Sequence, residues 1–132
     1  MIPEARDVDV EELSGDELAS ALETAASDAS WEYRAAVGLI VEQGSWLRRY
    51  EFRQAVDAWV DHEGRLMAWV DWAEVDVEAP ASSGESPILE IACSLGGIAT
   101  TRSLRDLLSS FDEHNTERVL RAFQISLRGW AS

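Results

Sequence analysis

Residues 58–72 read AWVDHEGRLMAWVDW, in which the tetrapeptide AWVD occurs twice, ten positions apart, around His62-Glu63-Gly64. If these three residues close a hairpin, Gly64 takes the left-handed position that three-residue loops favour, where a Cβ would be strained. Asp61 then meets Arg65, and the register places Val60 opposite Leu66, Trp59 opposite Met67, Ala58 opposite Ala68, Asp57 opposite Trp69 and Val56 opposite Val70. Side chains alternate along a strand, so one face collects Val56, Ala58, Val60, Leu66, Ala68 and Val70, with Phe52 and Trp72 extending it. The other face displays Trp59, Met67 and Trp69 among Asp57, Asp61 and Asp71.

Upstream, SWLRRYEFRQAVDAWV (45–60) fits two periods. Phe52, Ala55, Val56, Trp59 and Val60 match a helical stripe, whereas Phe52, Val56, Ala58 and Val60 alternate as in a strand. The hairpin turn favours strand near the loop and helix as far as about residue 56.

Outside the hairpin the signals are helical. Ser14-Gly15-Asp16-Glu17 is a capping-box pattern ahead of Leu18, Ala21, Leu22 and Ala25, and predicts a helix over 15–27. Ser30 caps a second helix with Tyr33, Val37, Ile40 and Val41 on one stripe and Gly44 at its end. Residues 76–86 (DVEAPASSGES) read as a mobile loop. Ser86-Pro87 looks like a cap followed by proline at the first helical position, leading Ile88, Ile91, Ala92 and Leu95 to Gly96-Gly97. Ser103 to Asp106 repeats the capping pattern for a short helix, and Asp112 or Asn115 caps a last helix with Val119, Leu120, Phe123 and Leu127 buried and Trp130 packed at its end. The expectation is a predominantly helical α+β domain over 14–132, with about five helices and a hairpin within 52–75, preceded by a flexible segment 1–13.

The chain has 132 residues, 25 acids, 11 arginines and no lysine, for a formal charge of -14. Arginine alone among the basic residues points to a coding bias. The acid is segregated: residues 1–30 and 57–90 each hold nine acids and one arginine, while 31–56 holds three acids and four arginines and 91–132 four acids and five arginines. A surface of that sign opposes direct nucleic-acid binding, which depends on neutralising phosphates. The arginines of WLRRYEFR, Arg48, Arg49 and Arg53, are expected to pair with the protein's own acids.

Chemistry-bearing motifs are absent. No P-loop, dinucleotide fingerprint, HExxH or GxSxG sequence occurs, and Asp71, Glu74, Asp76 and Glu78 lack the glycine and terminal glutamate of a calcium loop. Cys93 lies in an apolar run and reads as a small buried hydrophobe. His62 and His114 read as surface residues. No catalytic, cofactor or metal site is expected, and the acidic N-terminus and lack of a long apolar stretch predict a cytoplasmic chain without membrane contact.

SSGESPILEIACSLGG followed by SLRDLLSSFDEHNTERVLRAFQISLRG resembles the C-terminal half of a group of small uncharacterised actinobacterial proteins. In that group an SGGE-type loop precedes a helix ending in AASL, a VSLRDAL-type helix and an LD-x-x-N cap. WLRRYEF and MAWVDW are similar to its WLRRDDF and IDW elements, so the resemblance spans roughly 44–129. It departs at Ser83, at Ser86-Pro87 and in GGIATTR. The resemblance implies one domain and an actinobacterial or actinophage origin, and no activity.

The function these residues suggest is a non-enzymatic, acidic protein–protein interaction module. In the leading form it is a phage or mobile-element inhibitor, such as an anti-CRISPR, that mimics nucleic acid and masks a basic nucleic-acid-binding enzyme. Its contact residues would be Asp57, Trp59, Asp61, Met67, Trp69, Asp71, Glu74, Asp76 and Glu78, aromatic anchors within a polar rim. A toxin-neutralising immunity protein and a dimeric adaptor joined through the C-terminal helices are the alternatives.

Overall fold

In the computed structural model, which describes residues 5–81 and 85–131 (the last three by backbone only), the hairpin turn forms around Gly64 at φ 81°. The Asp61 N–H donates to the Arg65 carbonyl at 2.9 Å and the Gly64 N–H to the Asp61 carbonyl at 3.0 Å. Strands β2 (Val56–Val60) and β3 (Leu66–Val70) pair in the register expected from the alternation, from Val60 opposite Leu66 to Val56 opposite Val70. Both periods read in 45–60 are used in succession. A 3₁₀ turn (Ser45–Arg48) and a single helical turn α3 (Tyr50–Arg53) give way to strand at Val56.

The N-terminal segment departs from its expected looseness. Strand β1 (Arg6–Val8) adds antiparallel to β2, with Asp7 opposite Trp59, making a three-stranded sheet ordered β1-β2-β3. A 3₁₀ turn (Val10–Glu12) follows, and Arg53 fixes it from below. Arg53 is buried and donates to three carbonyls: from Nε to Leu47 at 2.7 Å, and from Nη1 to Val10 at 2.8 Å and Leu13 at 2.9 Å. The expected pairing of Arg53 with an acid is thereby corrected. Buried main-chain oxygens from two segments outcompete a surface carboxylate for its planar donors.

Six α-helices are present among the described residues, with a small sheet, giving a predominantly helical α+β fold. Helix α1 (Gly15–Ala26) opens with a reciprocal capping box between Ser14 and Glu17 and lays Leu18, Ala21, Leu22 and Ala26 against the inner face of β3. Ala26, rather than Ala25, completes the buried stripe. Helix α2 (Trp31–Gln43) begins at the Ser30 cap and ends at Gly44, φ 85°. It packs against both α4 (Glu85–Leu95) and α6 (Glu113–Ala131), so Ala35, Ala36 and Leu39 are buried besides the predicted stripe.

Helix α4 starts at Glu85, two residues before Pro87. Proline is tolerated there because a first-turn N–H lacks an intrahelical acceptor anyway. Residues 76–81 of the expected mobile loop form a turn with Ala79 buried, next to the buried Val75, and the Pro80 carbonyl accepting from Arg49; Ser82, Ser83 and Gly84 lie outside the described residues. Ser103 caps α5 (Leu104–Leu108), and Asp112, not Asn115, caps α6, its Oδ1 accepting the Asn115 N–H at 2.8 Å. On α6 the buried positions are Asn115, Val119 and Ala122, while Leu120 and Leu127 face outward. The side chain of Trp130 lies outside the described residues.

Candidate functional site

The sheet has one covered face and one open face. Val56, Ala58, Ala68 and Val70 are buried beneath the helices, whereas Asp57 and Trp69 are exposed and Trp59 and Met67 are half-buried on the opposite side. The β1 pairing adds Asp7 beside Trp59 on that open side. An open trough of about 620 Å³ runs along β1 and β2, lined by Asp7, Asp9, Asp57 and Trp59 among others.

Trp69 is 40% exposed, and its ring stacks on Tyr33 of α2 with centroids 3.8 Å apart and planes within 9°. The Tyr33 hydroxyl accepts the Val70 N–H at 3.0 Å, so one side chain both satisfies the edge of β3 and supports Trp69 from behind. Burial pushes the Tyr33 phenol up to about 12, more than the Val70 hydrogen bond lowers it, and it stays protonated. Trp69 is therefore held in a fixed orientation, and little ordering cost would attend any contact made to it. Tyr33 and Asp7 were not legible as site residues from the hairpin alone. Their only sequence signals are the helical stripe of α2 and the alternation in RDVDV.

The nine predicted contact residues divide by what their side chains already do. Asp61 Oδ1 accepts the Glu63 and Arg65 N–H groups, each at 2.9 Å, and its Oδ2 meets Arg65 Nε at 3.0 Å. Asp71 caps the 3₁₀ turn Trp72–Glu74 through the Ala73 N–H at 3.2 Å, and Asp76 accepts the Glu78 N–H at 3.0 Å. These three aspartates shape the backbone. Asp57, Glu74 and Glu78 are exposed, and their carboxylates make no hydrogen bond or ion pair among the described residues, which leaves those oxygens open. The Asp71 N–H bonds the Ala55 carbonyl at 2.9 Å, so the turn carrying Glu74 begins at the Asp57–Trp69 end of the hairpin. Asp61 is at the far end, about 13 Å away along β2.

The Arg65 N–H, then the Arg65 guanidinium and the Glu63 N–H, hold the Asp61 carboxyl below the usual carboxylate range. A carboxyl lowered in the folded state adds stability above its unfolded value, about 3.9, and that stability is lost as pH falls through the folded value. Asp61→Asn is accordingly expected to lower the urea midpoint at pH 7, with the gap to wild type closing towards pH 3. A gap that stays constant over this range overturns the role given to ionised Asp61.

Elsewhere several titratable groups hold the fold together. Burial pushes the Cys93 thiol up to about 12, with Glu90 adding to the shift, so it is a poor nucleophile. Glu90 is buried and receives Arg102, whose Nη2 also donates to Ser86 at 3.0 Å, tying the loop after α4 back onto its helix. Arg49 pairs with Glu51 at 3.4 Å and Glu85 at 3.6 Å, while Arg48 is exposed. His62 and His114 are exposed. Among the described residues no three His, Cys, Asp or Glu side chains converge as metal ligands, and no helix is long and apolar enough to cross a membrane. Comparison with protein-family models, with curated proteins and with solved structures gave no match.

Proposed function

We propose that the chain is an acidic protein–protein interaction module that uses the open face of its sheet to mask a basic, nucleic-acid-binding partner. One observation carries this reading: Trp59, Met67 and the rigidly stacked Trp69 lie on the uncovered face beside Asp7 and Asp57, whose carboxylates make no internal hydrogen bond among the described residues. Partly exposed aromatics inside a charged rim supply burial at the centre of an interface and steering at its edge. Free carboxylates at strand spacing present negative charges as phosphates do. The unpaired acids Asp57, Glu74 and Glu78 are the primary mimics, and Asp61, Asp71 and Asp76 contribute charge while holding the turns. An inhibitor from a phage or mobile element of an actinobacterial host, of the anti-CRISPR kind, fits this chemistry.

Affinity capture from an actinobacterial lysate, with double-stranded DNA as competitor, tests it. A basic nucleic-acid-binding protein is expected, displaced by DNA, weakened by salt and bound at least about tenfold less well by Trp59→Ala. Trp59 is the informative choice, because Trp69→Ala also strips the packing from Tyr33. Recovery of a partner that DNA does not displace, or one held equally by Trp59→Ala and Asp57→Asn, removes the nucleic-acid-mimic reading. A tight one-to-one complex with a single toxin would instead identify an immunity protein.

A further inference from the structure

Four of the six exposed large apolar side chains among the described residues lie on α5 and α6: Leu104 (53%), Leu108 (41%), Leu120 (55%) and Leu127 (58%). Leu120 and Leu127 are seven residues apart and therefore share one side of α6. Phe123 falls between them and, with Leu104 and Leu107 of α5 and Ile91 and Leu95 of α4, lines a groove of about 170 Å³. Scattered exposed leucines are ordinary, but exposed leucines on two helices that border one apolar groove are the kind of patch that another surface covers.

We infer that two copies of this chain associate through the α5/α6 face. Charge selects this occupant. The whole chain carries -14, so two copies repel over most of their surface, and residues 1–30 and 57–90 concentrate that repulsion. Residues 91–132 hold four acids and five arginines, and the apolar patch sits in that near-neutral stretch. A strongly basic partner would be drawn to the open sheet instead.

The order of charges along α6 also suits self-pairing. Glu113 and Glu117 precede Arg118, Arg121 and Arg128, of which Arg118 already donates to Asn115 Oδ1 at 2.8 Å and Arg121 is held by Glu42 at 3.0 Å. In an antiparallel pair about a two-fold axis, Leu120 lies opposite the partner's Leu127, and Glu117 comes within two positions of the partner's Arg128. Opposed helix dipoles add to the match. A two-fold contact of one patch with itself closes at two copies and leaves both open sheet faces available. This association goes beyond the partner-masking function and uses different residues.

Sedimentation velocity on the full chain at low and high salt tests the pairing. Wild type is expected at about twice its 14.6 kDa monomer mass. Higher salt should tighten the dimer by screening the like net charge, the opposite of the effect expected at the sheet face. Leu120→Glu/Leu127→Glu should raise the dissociation constant about 100-fold or more with unchanged circular dichroism, and Trp59→Ala should leave the mass unaltered. Should the glutamate variant lose helix, Leu104→Ser/Leu108→Ser on α5 carries the same expectation. A wild-type monomer at about 100 µM in both salts, or a dimer that survives both leucine variants, overturns the inference.

Discussion

Arg53→Ala is expected to destabilise the protein by about 4 kcal/mol, a large share of the 5–15 kcal/mol typical of a domain. The guanidinium is buried and donates to the carbonyls of Leu47, Val10 and Leu13, joining the 3₁₀ turn before α3 to the N-terminal segment. Alanine leaves three acceptors without their donor and a cavity where the planar group lay, and each lost charge-assisted bond costs about 1.5–3 kcal/mol before relaxation. Arg53→Lys should recover only part of this, because one ammonium cannot match the spread of a guanidinium fork. Urea unfolding gives the magnitude, and hydrogen exchange gives the location. The amides of β1 and of the Val10–Glu12 turn should lose protection first, since Arg53 is their tie to the core. A cost below about 1 kcal/mol would show that water replaces the guanidinium without penalty, and equal loss of protection throughout would show that Arg53 supports the whole fold and not the N-terminal segment in particular.

The parts of this fold that were legible in the sequence are those decided within a few residues. The AWVDHEGRLMAWVDW hairpin, its register and its two faces followed from one glycine and a period of two, and the Ser14 box, Ser30 cap and Gly44 stop followed from local hydrogen bonding. Features set by distant partners were not legible. RDV becomes a strand only because β2 offers an unpaired edge, and Arg53 is buried only because the N-terminal turn brings carbonyls to it. On α6 the apolar period was real, but Leu120 and Leu127 lie roughly a quarter to just under half a turn around from Val119 and Ala122, and the contact with α2 covers only the latter. The same holds for the site. Trp59, Met67 and Trp69 were placed by alternation, whereas the Tyr33 ring behind Trp69 comes from an element 36 residues away in the chain. Which acids are free and which are caps also depends on the turns they shape, as Asp61 and Asp71 show.

Gly96→Ala is expected to cost about 3 kcal/mol, well beyond the change at its neighbour. Gly96 and Gly97 together end α4, yet they are glycine for different reasons. Gly97 has φ 98° and open space around it, so Gly97→Ala meets only the backbone strain of the left-handed region, about 1 kcal/mol. A Cβ on Gly96 would stand 2.3 Å from Cδ1 and 2.4 Å from Cγ of Trp72, the rigid root of a buried indole. That ring cannot swing aside, because it lies edge-on to Tyr33 and against Phe52, with centroids 6.3 and 6.4 Å away. The methyl group must therefore move α4 or the 3₁₀ turn Trp72–Glu74. The displacement passes directly to Tyr33, the support of Trp69, so Gly96→Ala should both lower the unfolding midpoint and weaken capture of the proposed basic partner. Gly97→Ala, equal in added atoms, should leave capture intact. Comparable destabilisation by the two substitutions would mean that helix termination, and not the close approach of Trp72, explains both glycines.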